Sequence, residues 1–421
     1  MNYENSLSFA RRLDQKDPLK KYRKEFHIPV VNGKPSIYLC GNSLGLEPRR
    51  TRRFLLEELE DWAKLGVEGH LHGRRPWLYY HHFTKKPLAK LVGAKPSEVV
   101  AMNQLTVNLH LMLTTFYRPD KKRFKIITEA GAFSSDQYAV ESQLRLHGIH
   151  PEDALVELSP RNGEHYLRTS DILQAISDEA GQLALVLFGG VQYYSGQFFD
   201  LKAITSAAHA AGAMAGFDLA HAVGNVPLAL HRDEVDFAVW CSYKYLNSGP
   251  GSVAGAFVHE RHADGNLPRM AGWWGHYERD RFKMKKGFIA MPGVDGWQLS
   301  NFPILTGAAH LASLEIFSEV GMPALRRKSV QLTGYLSFLL DEIDPGGKHY
   351  TVITPRDASA RGCQLSILMN HQRGKRVFDA LTRRGVIADW REPDVIRVAP
   401  VPLYNTFEDV HRFATLLAES L

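Results

Sequence analysis

The chain is predicted to be an α/β protein whose large domain flanks a mostly parallel sheet with helices, followed by a small α+β domain built from the C-terminus. Three observations predict this. Between residues 99 and 260, short apolar runs alternate with helical patterns, as expected of strands joined by crossover helices. Two of those runs lead to an isolated acid, Asp218, and an isolated lysine, Lys244, at the strand ends where open α/β sheets hold ligands. A turn signal, Asp344-Pro-Gly-Gly347, then separates this pattern from a second set of short elements.

Along the chain the apolar runs are Val99–Met102, Lys125–Thr128, Leu183–Phe188, Met214–Phe217, Phe237–Trp240 and Gly255–Val258. Connecting helices read most clearly at Asp136 to Gly148 and Asp200 to Gly212. Each opens on an acid that suits the free N–H groups of a first turn, and each closes on a glycine that allows a left-handed cap. From His310 to Ile343 a long helical pattern, interrupted near Gly321-Met-Pro323, leads away from the sheet. Strands at Tyr350–Ile353, Cys363–Met369 and Val395–Val398, a helix at Lys375–Arg384 and a final helix make the small unit. The expected division is an N-terminal segment, 1–44, packing on the small domain, a large cofactor-binding domain, 45–315, and a small domain, 316–421.

With 421 residues, 44% apolar and 23% charged, the composition is that of a folded globular chain. The net charge of +6 is spread among mixed acids and bases with no long basic run, so a nucleic-acid partner is not expected. Three widely spaced cysteines, Cys40, Cys241 and Cys363, argue against a disulfide framework and for a reducing, cytoplasmic setting. The longest apolar run, Leu183–Phe188, is far short of the ~20 residues a membrane span needs. The histidine pairs His70-x-His72, His81-His82 and His259-x-x-His262 lack a convincing third ligand, so no metal is expected.

An acid and a lysine at neighbouring strand ends suit pyridoxal phosphate: a carboxylate keeps the pyridine nitrogen protonated and an amine captures the aldehyde. Each residue has a plainer alternative, Asp218 as the N-cap of a helix starting at Leu219 and Lys244 as a strand-end lysine reaching for water. The phosphate needs backbone N–H groups at a helix start, and Leu105-Thr106 sits where a strand gives way to the amphipathic run Val107–Tyr117.

The wording of these segments goes further. Gly216-Phe-Asp-Leu-Ala-His-Ala-Val-Gly-Asn225 and Trp240-Cys-Ser-Tyr-Lys-Tyr-Leu-Asn247 resemble the kynureninase family, fold-type I pyridoxal phosphate enzymes of the class V aminotransferase-like superfamily. So do Tyr38-Leu-Cys-Gly-Asn-Ser-Leu-Gly45, Asn103-Gln-Leu-Thr-Val-Asn-Leu-His110, Val191-Gln-Tyr-Tyr-Ser-Gly-Gln197 and Ile396-Arg-Val-Ala-Pro-Val-Pro-Leu-Tyr-Asn405. The resemblance implies a fold-type I transferase-like architecture. It also implies PLP-dependent hydrolysis of the Cβ–Cγ bond of L-kynurenine or 3-hydroxykynurenine, giving anthranilate or 3-hydroxyanthranilate and L-alanine, in tryptophan catabolism or NAD precursor synthesis. A cytoplasmic homodimer with shared active sites follows from it, with small-molecule substrates and neither nucleic acid nor membrane as partner.

By the same resemblance Lys244 binds the cofactor, Asp218 pairs with its ring nitrogen, and His221, on the same face as Asp218 if the turn is helical, lies beside the ring or orients Asp218. Phe133 stacks on the ring with Ser134, Ser135 and Asp136 close by, and Leu105, Thr106, Tyr243 and Trp273 hold the phosphate, Trp273 from a neighbouring subunit. At Gly189 the chain lacks a hydroxyl that some members offer the phosphate, and the backbone amide is the expected substitute. Arg397 clamps the substrate α-carboxylate with its guanidinium fork, Tyr194 donates a proton to the β-carbon, and His70 and Asn301 contact the substrate ring, Asn301 also lying near the cofactor. Polar groups at those two positions favour acceptance of 3-hydroxykynurenine alongside, or before, kynurenine.

Two rival readings remain at this stage. A cysteine desulfurase or selenocysteine lyase of the same fold needs a mobile nucleophilic cysteine, yet Cys363 falls in an apolar strand pattern. A non-catalytic, cofactor-binding regulatory protein has no use for Lys244, Asp218, Tyr194 and Arg397 together.

Overall fold

The computed structural model describes residues 2–263, 267–370 and 373–421. Seven strands form the central sheet: β1 (Val99–Ala101), β2 (Lys125–Glu129), β3 (Leu155–Leu158), β4 (Leu183–Gly189), β5 (Met214–Asp218), β6 (Phe237–Trp240) and β7 (Gly255–Val258). Their order across the sheet is β1-β7-β6-β5-β4-β2-β3. All neighbours run parallel except around β7, which pairs antiparallel with both β1 and β6.

The central strands are apolar end to end because both faces are covered. Along β4, Leu185 and Leu187 point into the core beneath the helices Leu105–Phe116 and Ser134–Leu146, while Val186 and Phe188 point into the opposite core. This is the two-residue alternation of a strand. The helix Leu201–Ala210 starts as the pattern predicts, with the Asp200 side chain accepting from the Ala203 N–H. The long pattern after residue 300 is two helices, Ile304–Val320 and Met322–Ile343, separated at Gly321, whose φ of +76° ends the first before Pro323 opens the second.

Four further strands make the small sheet: β8 (Tyr350–Val352), β9 (Leu365–Met369), β10 (Asp389–Arg391) and β11 (Val395–Val398), ordered β8-β9-β11-β10 and antiparallel throughout. Its core joins Ile367, Ile396 and Val398 to Leu332 and Leu336 of the long helix and to Phe413 of the last helix. Phe9 and Ala10 from the first helix and Ile37 and Leu39 from the chain after it enter the same core. Ile37–Tyr38 also pairs in parallel with Val386–Ile387.

Two local expectations are corrected. No helix starts at Leu219; the Asp218 carboxylate accepts the Ala220 N–H at 2.7 Å, and this side-chain turn takes the place of a helical first turn. The edge strands β3 and β10 were not read from the pattern, because polar residues interrupt both.

Candidate active site

A cavity opens at the C-terminal ends of β2, β4 and β5, where an open α/β sheet presents strand-end side chains to a ligand. It is lined by Leu105, Thr106, Glu129, Phe133, Ser135, Asp136, Gly189, Val191, Tyr193, Asp218, Ala220, His221, Tyr243 and Lys244. Nine of these were expected on sequence grounds: Leu105, Thr106, Phe133, Ser135, Asp136, Asp218, His221, Tyr243 and Lys244. Thr106 lies in the first turn of the helix Leu105–Phe116, which has no side-chain cap, so its amides are free for an anion.

Lys244 follows β6 in a tight loop held by the Tyr38–Gly45 motif. The Gly45 N–H donates to the Tyr243 carbonyl at 2.8 Å, and a Cβ at residue 45 would sit 2.3 Å from the Lys244 carbonyl oxygen. Only glycine allows that approach. The Lys244 Nζ reaches the His221 Nε2 at 2.9 Å and lies 5.7 Å from the centre of the Phe133 ring. His221 is therefore a partner of the lysine, and the expectation that it orients Asp218 through a shared helical face does not hold, since its turn is not helical. Burial, then the nearby cations Lys244, Arg397 and Arg391, hold the His221 imidazole well below its usual range, and its Nδ1 is buried with no partner in the protein. A neutral imidazole results.

Three carboxyl groups share this cavity. Burial raises both Asp136 and Asp218 above the usual carboxylate range, and each acts on the other. Asp218 has the Ala220 N–H, at 2.7 Å, and the field of Lys244 to offset part of its burial. The third, Glu129, at the end of β2, escaped the sequence reading. Both its oxygens take the Gly189 N–H, at 3.1 and 3.2 Å, and burial pushes it up to about 7. The Gly189 amide is thus engaged by Glu129, which corrects the expectation that it would serve the phosphate. An acid directly after an apolar run and before Gly131-Ala-Phe133 was the signal available.

The other expected residues lie off the cavity. Ser134 is next to it in the first turn of its helix but is not part of the wall. Tyr194 is also absent from the wall, where Tyr193 stands instead. The Tyr194 carbonyl accepts from the Ser366 hydroxyl at 2.6 Å, which ties this turn to the small sheet. Arg397 on β11 is fully buried; its Nη1 donates to the Tyr193 carbonyl at 2.7 Å and its Nη2 to Asp389, the residue opposite it in the β10–β11 register. The Arg397 Nε has no partner in the protein, so part of the fork is uncommitted. His70 packs edge-on against Trp77 with ring centres 5.3 Å apart, Trp273 donates its indole N–H to the Arg281 carbonyl, and Asn301 is exposed. Within one chain these three do not reach the cavity wall.

The histidine pair His259-x-x-His262 is split, His259 lying near Glu98 and His262 against Asp236. Among the described residues Glu98, His231 and His259 have metal-like spacing, but Glu98 already accepts from His231, the Glu260 N–H and the Lys95 N–H.

The donor set suits a phosphorylated pyridine aldehyde. An amine, an acid and a helix start meet around one cavity, and a buried, unpartnered His221 nitrogen lies in its wall.

Comparison with known proteins places the chain in a family. Residues 325–417 match a family model described as the kynureninase C-terminal domain. A protein named kynureninase from Myxococcus xanthus is 58% identical over 99% of this chain and 97% of its own length. Another from Flavobacterium psychrophilum is 54% identical over 100% of this chain and 99% of its own length. Among solved structures, an apo cysteine desulfurase from Thermococcus onnurineus superposes with a TM-score of 0.78 at 18% identity, covering 95% of this chain and 97% of that one, a likeness of fold.

Proposed function

Because the chain belongs to the kynureninase family, a family of pyridoxal phosphate enzymes, we propose that this cavity hydrolyses the Cβ–Cγ bond of L-kynurenine or 3-hydroxykynurenine, releasing anthranilate or 3-hydroxyanthranilate and L-alanine. The observation that carries the reading is the meeting of Lys244, His221 and Asp218 in one cavity of a chain alike over its full length to curated kynureninases.

Bound there, pyridoxal phosphate supplies an electron sink that lets the bond beside the ketone break. The protein supplies the rest. The amides at Leu105 and Thr106 hold the phosphate, Phe133 covers one ring face, and Asp218 keeps the ring nitrogen protonated. Lys244 tethers the aldehyde and then moves the proton at the substrate α-carbon, with the neutral His221 holding its amine in place. Arg397 receives the α-carboxylate through the part of its fork that Asp389 and Tyr193 leave open. Water adds to the γ-carbonyl, and a phenol on the cavity wall returns a proton to the β-carbon. Two phenols line the cavity, Tyr193 and Tyr243; the one proposed is Tyr243, whose ring centre lies 6.0 Å from the Lys244 Nζ, in preference to Tyr194, which is off the wall. Burial raises the Tyr243 phenol above its ordinary value, so it stays protonated and able to donate.

His70, Trp273 and Asn301 act from a second copy in a homodimer on this reading. Near them in sequence Trp62, Val67, Leu71, Met270, Phe282 and Met284 are exposed, and Phe282 packs edge-on against Trp273; exposed apolar side chains of this kind are what a subunit interface covers. With His70 and Asn301 facing the aryl ring, 3-hydroxykynurenine is accepted alongside, or before, kynurenine, which a comparison of the two kcat/KM values tests. No helix among the described residues is long and apolar enough to cross a membrane, and a cytoplasmic site of action is proposed.

A desulfurase role is disfavoured by Cys363, which is buried, with burial pushing its thiol up to about 12. The deciding experiment is anthranilate release, followed by fluorescence, from protein mixed with L-kynurenine and pyridoxal phosphate, with Lys244→Ala as control. Release that the control abolishes supports the reading; a cofactor-loaded protein that releases none overturns it.

A further inference from the structure

The cofactor reading accounts for one anionic partner of the ring, Asp218, yet the same cavity holds three carboxyl groups. Asp136 and Asp218 act on each other, and burial raises both. Glu129 stands apart from that pair on β2. It is 4% exposed, and the groups that favour its charge are all neutral: its own backbone N–H, the Gly189 N–H and, at the long distance of 3.5 Å, the Thr128 hydroxyl. The charges that face it are acidic, with Asp218 from β5 acting on it and Glu129 itself acting on Asp136 in the helix Ser134–Leu146. The one cation of the group, Lys244, is spent against His221 and the field of Asp136 and Asp218. A buried carboxylate held by neutral donors alone, with no paired cation, is costly, and it takes up a proton instead.

We propose that Glu129 is a further acid of the cofactor site, neutral in the ligand-free protein, that releases its proton when the cofactor's ring cation enters the cavity. The physical reason is charge balance. A protonated pyridine ring brings a positive charge among three carboxyls of the cavity, two of them, Glu129 and Asp218, buried, and each carboxyl that ionises near it is stabilised by that charge. The Glu129 O–H bond breaks, the proton goes to solvent, and the new carboxylate keeps the Gly189 N–H as its donor. Glu129 is thus a positioning residue: it fixes the end of β4 beside Asp218, and its ionisation helps keep the ring nitrogen protonated.

The inference rests on the cofactor reading and is tested apart from turnover. Protein freed of cofactor is titrated with pyridoxal phosphate in a calorimeter, in buffers of different ionisation enthalpy, so that protons released per site are counted for wild type and Glu129→Gln. Gln keeps an oxygen for the Gly189 N–H but cannot ionise. Proton exchange by the phosphate and by Lys244 is common to both proteins and cancels. The expected result is release of close to about one more proton by wild type at about pH 6, with the difference gone at about pH 9, where Glu129 is ionised before the cofactor arrives. Equal release at both values overturns the inference while leaving the cofactor reading intact, and a wild type that takes up no pyridoxal phosphate overturns both. Should the variant not fold, infrared difference spectra of wild type decide. Loss of a protonated-carboxyl band on cofactor binding at about pH 6 that is absent at about pH 9 supports the proposal, and no such change overturns it.

Discussion

The Nζ of Lys244 lies 2.9 Å from the Nε2 of His221, and the histidine offers its other nitrogen to no group in the protein. A neutral imidazole can hold the lysine in either protonation state, accepting from the ammonium or donating to the free amine. It therefore steers the amine without fixing its proton, which suits a lysine that must take up and return one. His221→Ala is expected to lower kcat about 10- to 100-fold with a smaller change in KM, since orientation at the reacting carbon is lost while Arg397 still binds substrate. Steady-state kinetics on L-kynurenine test this, and a rise in KM at unchanged kcat would assign His221 to substrate binding instead.

The two tyrosines are separable in the same assay. Tyr243 is on the cavity wall and Tyr194 is not. Tyr243→Phe is expected to reduce kcat by about 10²- to 10⁴-fold, the usual contribution of a general acid. Tyr194→Phe is expected to stay within about twofold of wild type, because its tie to the small sheet is through its backbone carbonyl and surface-type changes of this kind shift energies by only ~0.5 kcal/mol. The reverse ranking would restore Tyr194 as the donor.

How much of this site was legible in the chain depends on what each residue's neighbours report. Asp218 and Lys244 stood out because buried parallel strands are apolar throughout, so the first charged residue at each end marks the ligand side of the sheet. The helix start at Leu105 was legible from the switch between periods there. The partner of His221 was not, because the turn after Asp218 is set by a side-chain contact to the Ala220 N–H, which periodicity does not report. Tyr193 and Tyr194 are adjacent in a turn, where spacing says nothing about which ring faces the cavity. Asp389 opposite Arg397 depends on strand register, and Glu129 looks like any solvated strand-end acid until its burial is known.

Cys363 separates the proposed reaction from sulfur chemistry on the same fold. Its thiol is buried and its backbone N–H donates to Asn225 at 2.9 Å. Cys363→Ala is expected to leave anthranilate release within about twofold of wild type and to cost roughly 1 kcal/mol of stability through the small cavity it leaves. A variant that folds and binds cofactor yet loses turnover would return the thiol to the mechanism.

Asp236 gives a prediction for pH and stability away from the chemistry. Burial acts to raise its pKa, but hydrogen bonds from His209, His262, Arg261 and the Ala215 N–H outweigh it and hold the carboxyl well below the usual carboxylate range. Since the folded value is depressed, the stability it contributes is present above the unfolded value and is lost as pH falls through the folded one. Asp236→Asn is therefore expected to unfold about 2–3 kcal/mol more easily than wild type near neutrality, with the gap narrowing below about pH 4. Urea unfolding at several pH values checks this; a gap independent of pH would mean that packing, and not the charge, is what the substitution removes.

Arg397 and Asp389 form the remaining test, because one pair serves both fold and substrate. Arg397 is completely buried, so its charge needs a counter-ion before any substrate arrives, and Asp389 supplies one while also meeting Arg391 at 3.3 Å. Replacing the arginine by lysine keeps a charge but loses the planar fork, and kcat/KM is expected to fall about 10- to 100-fold, mostly through KM. Arg397→Ala also strands part of the charge on Asp389, at a cost of about 3 kcal/mol in stability, whereas the double replacement Arg397→Ala with Asp389→Asn should recover much of that loss and none of the substrate affinity. If the two single costs simply add in the double variant, the pair is not coupled, and Asp389 is then a partner of Arg391 that leaves Arg397 to be neutralised by substrate alone.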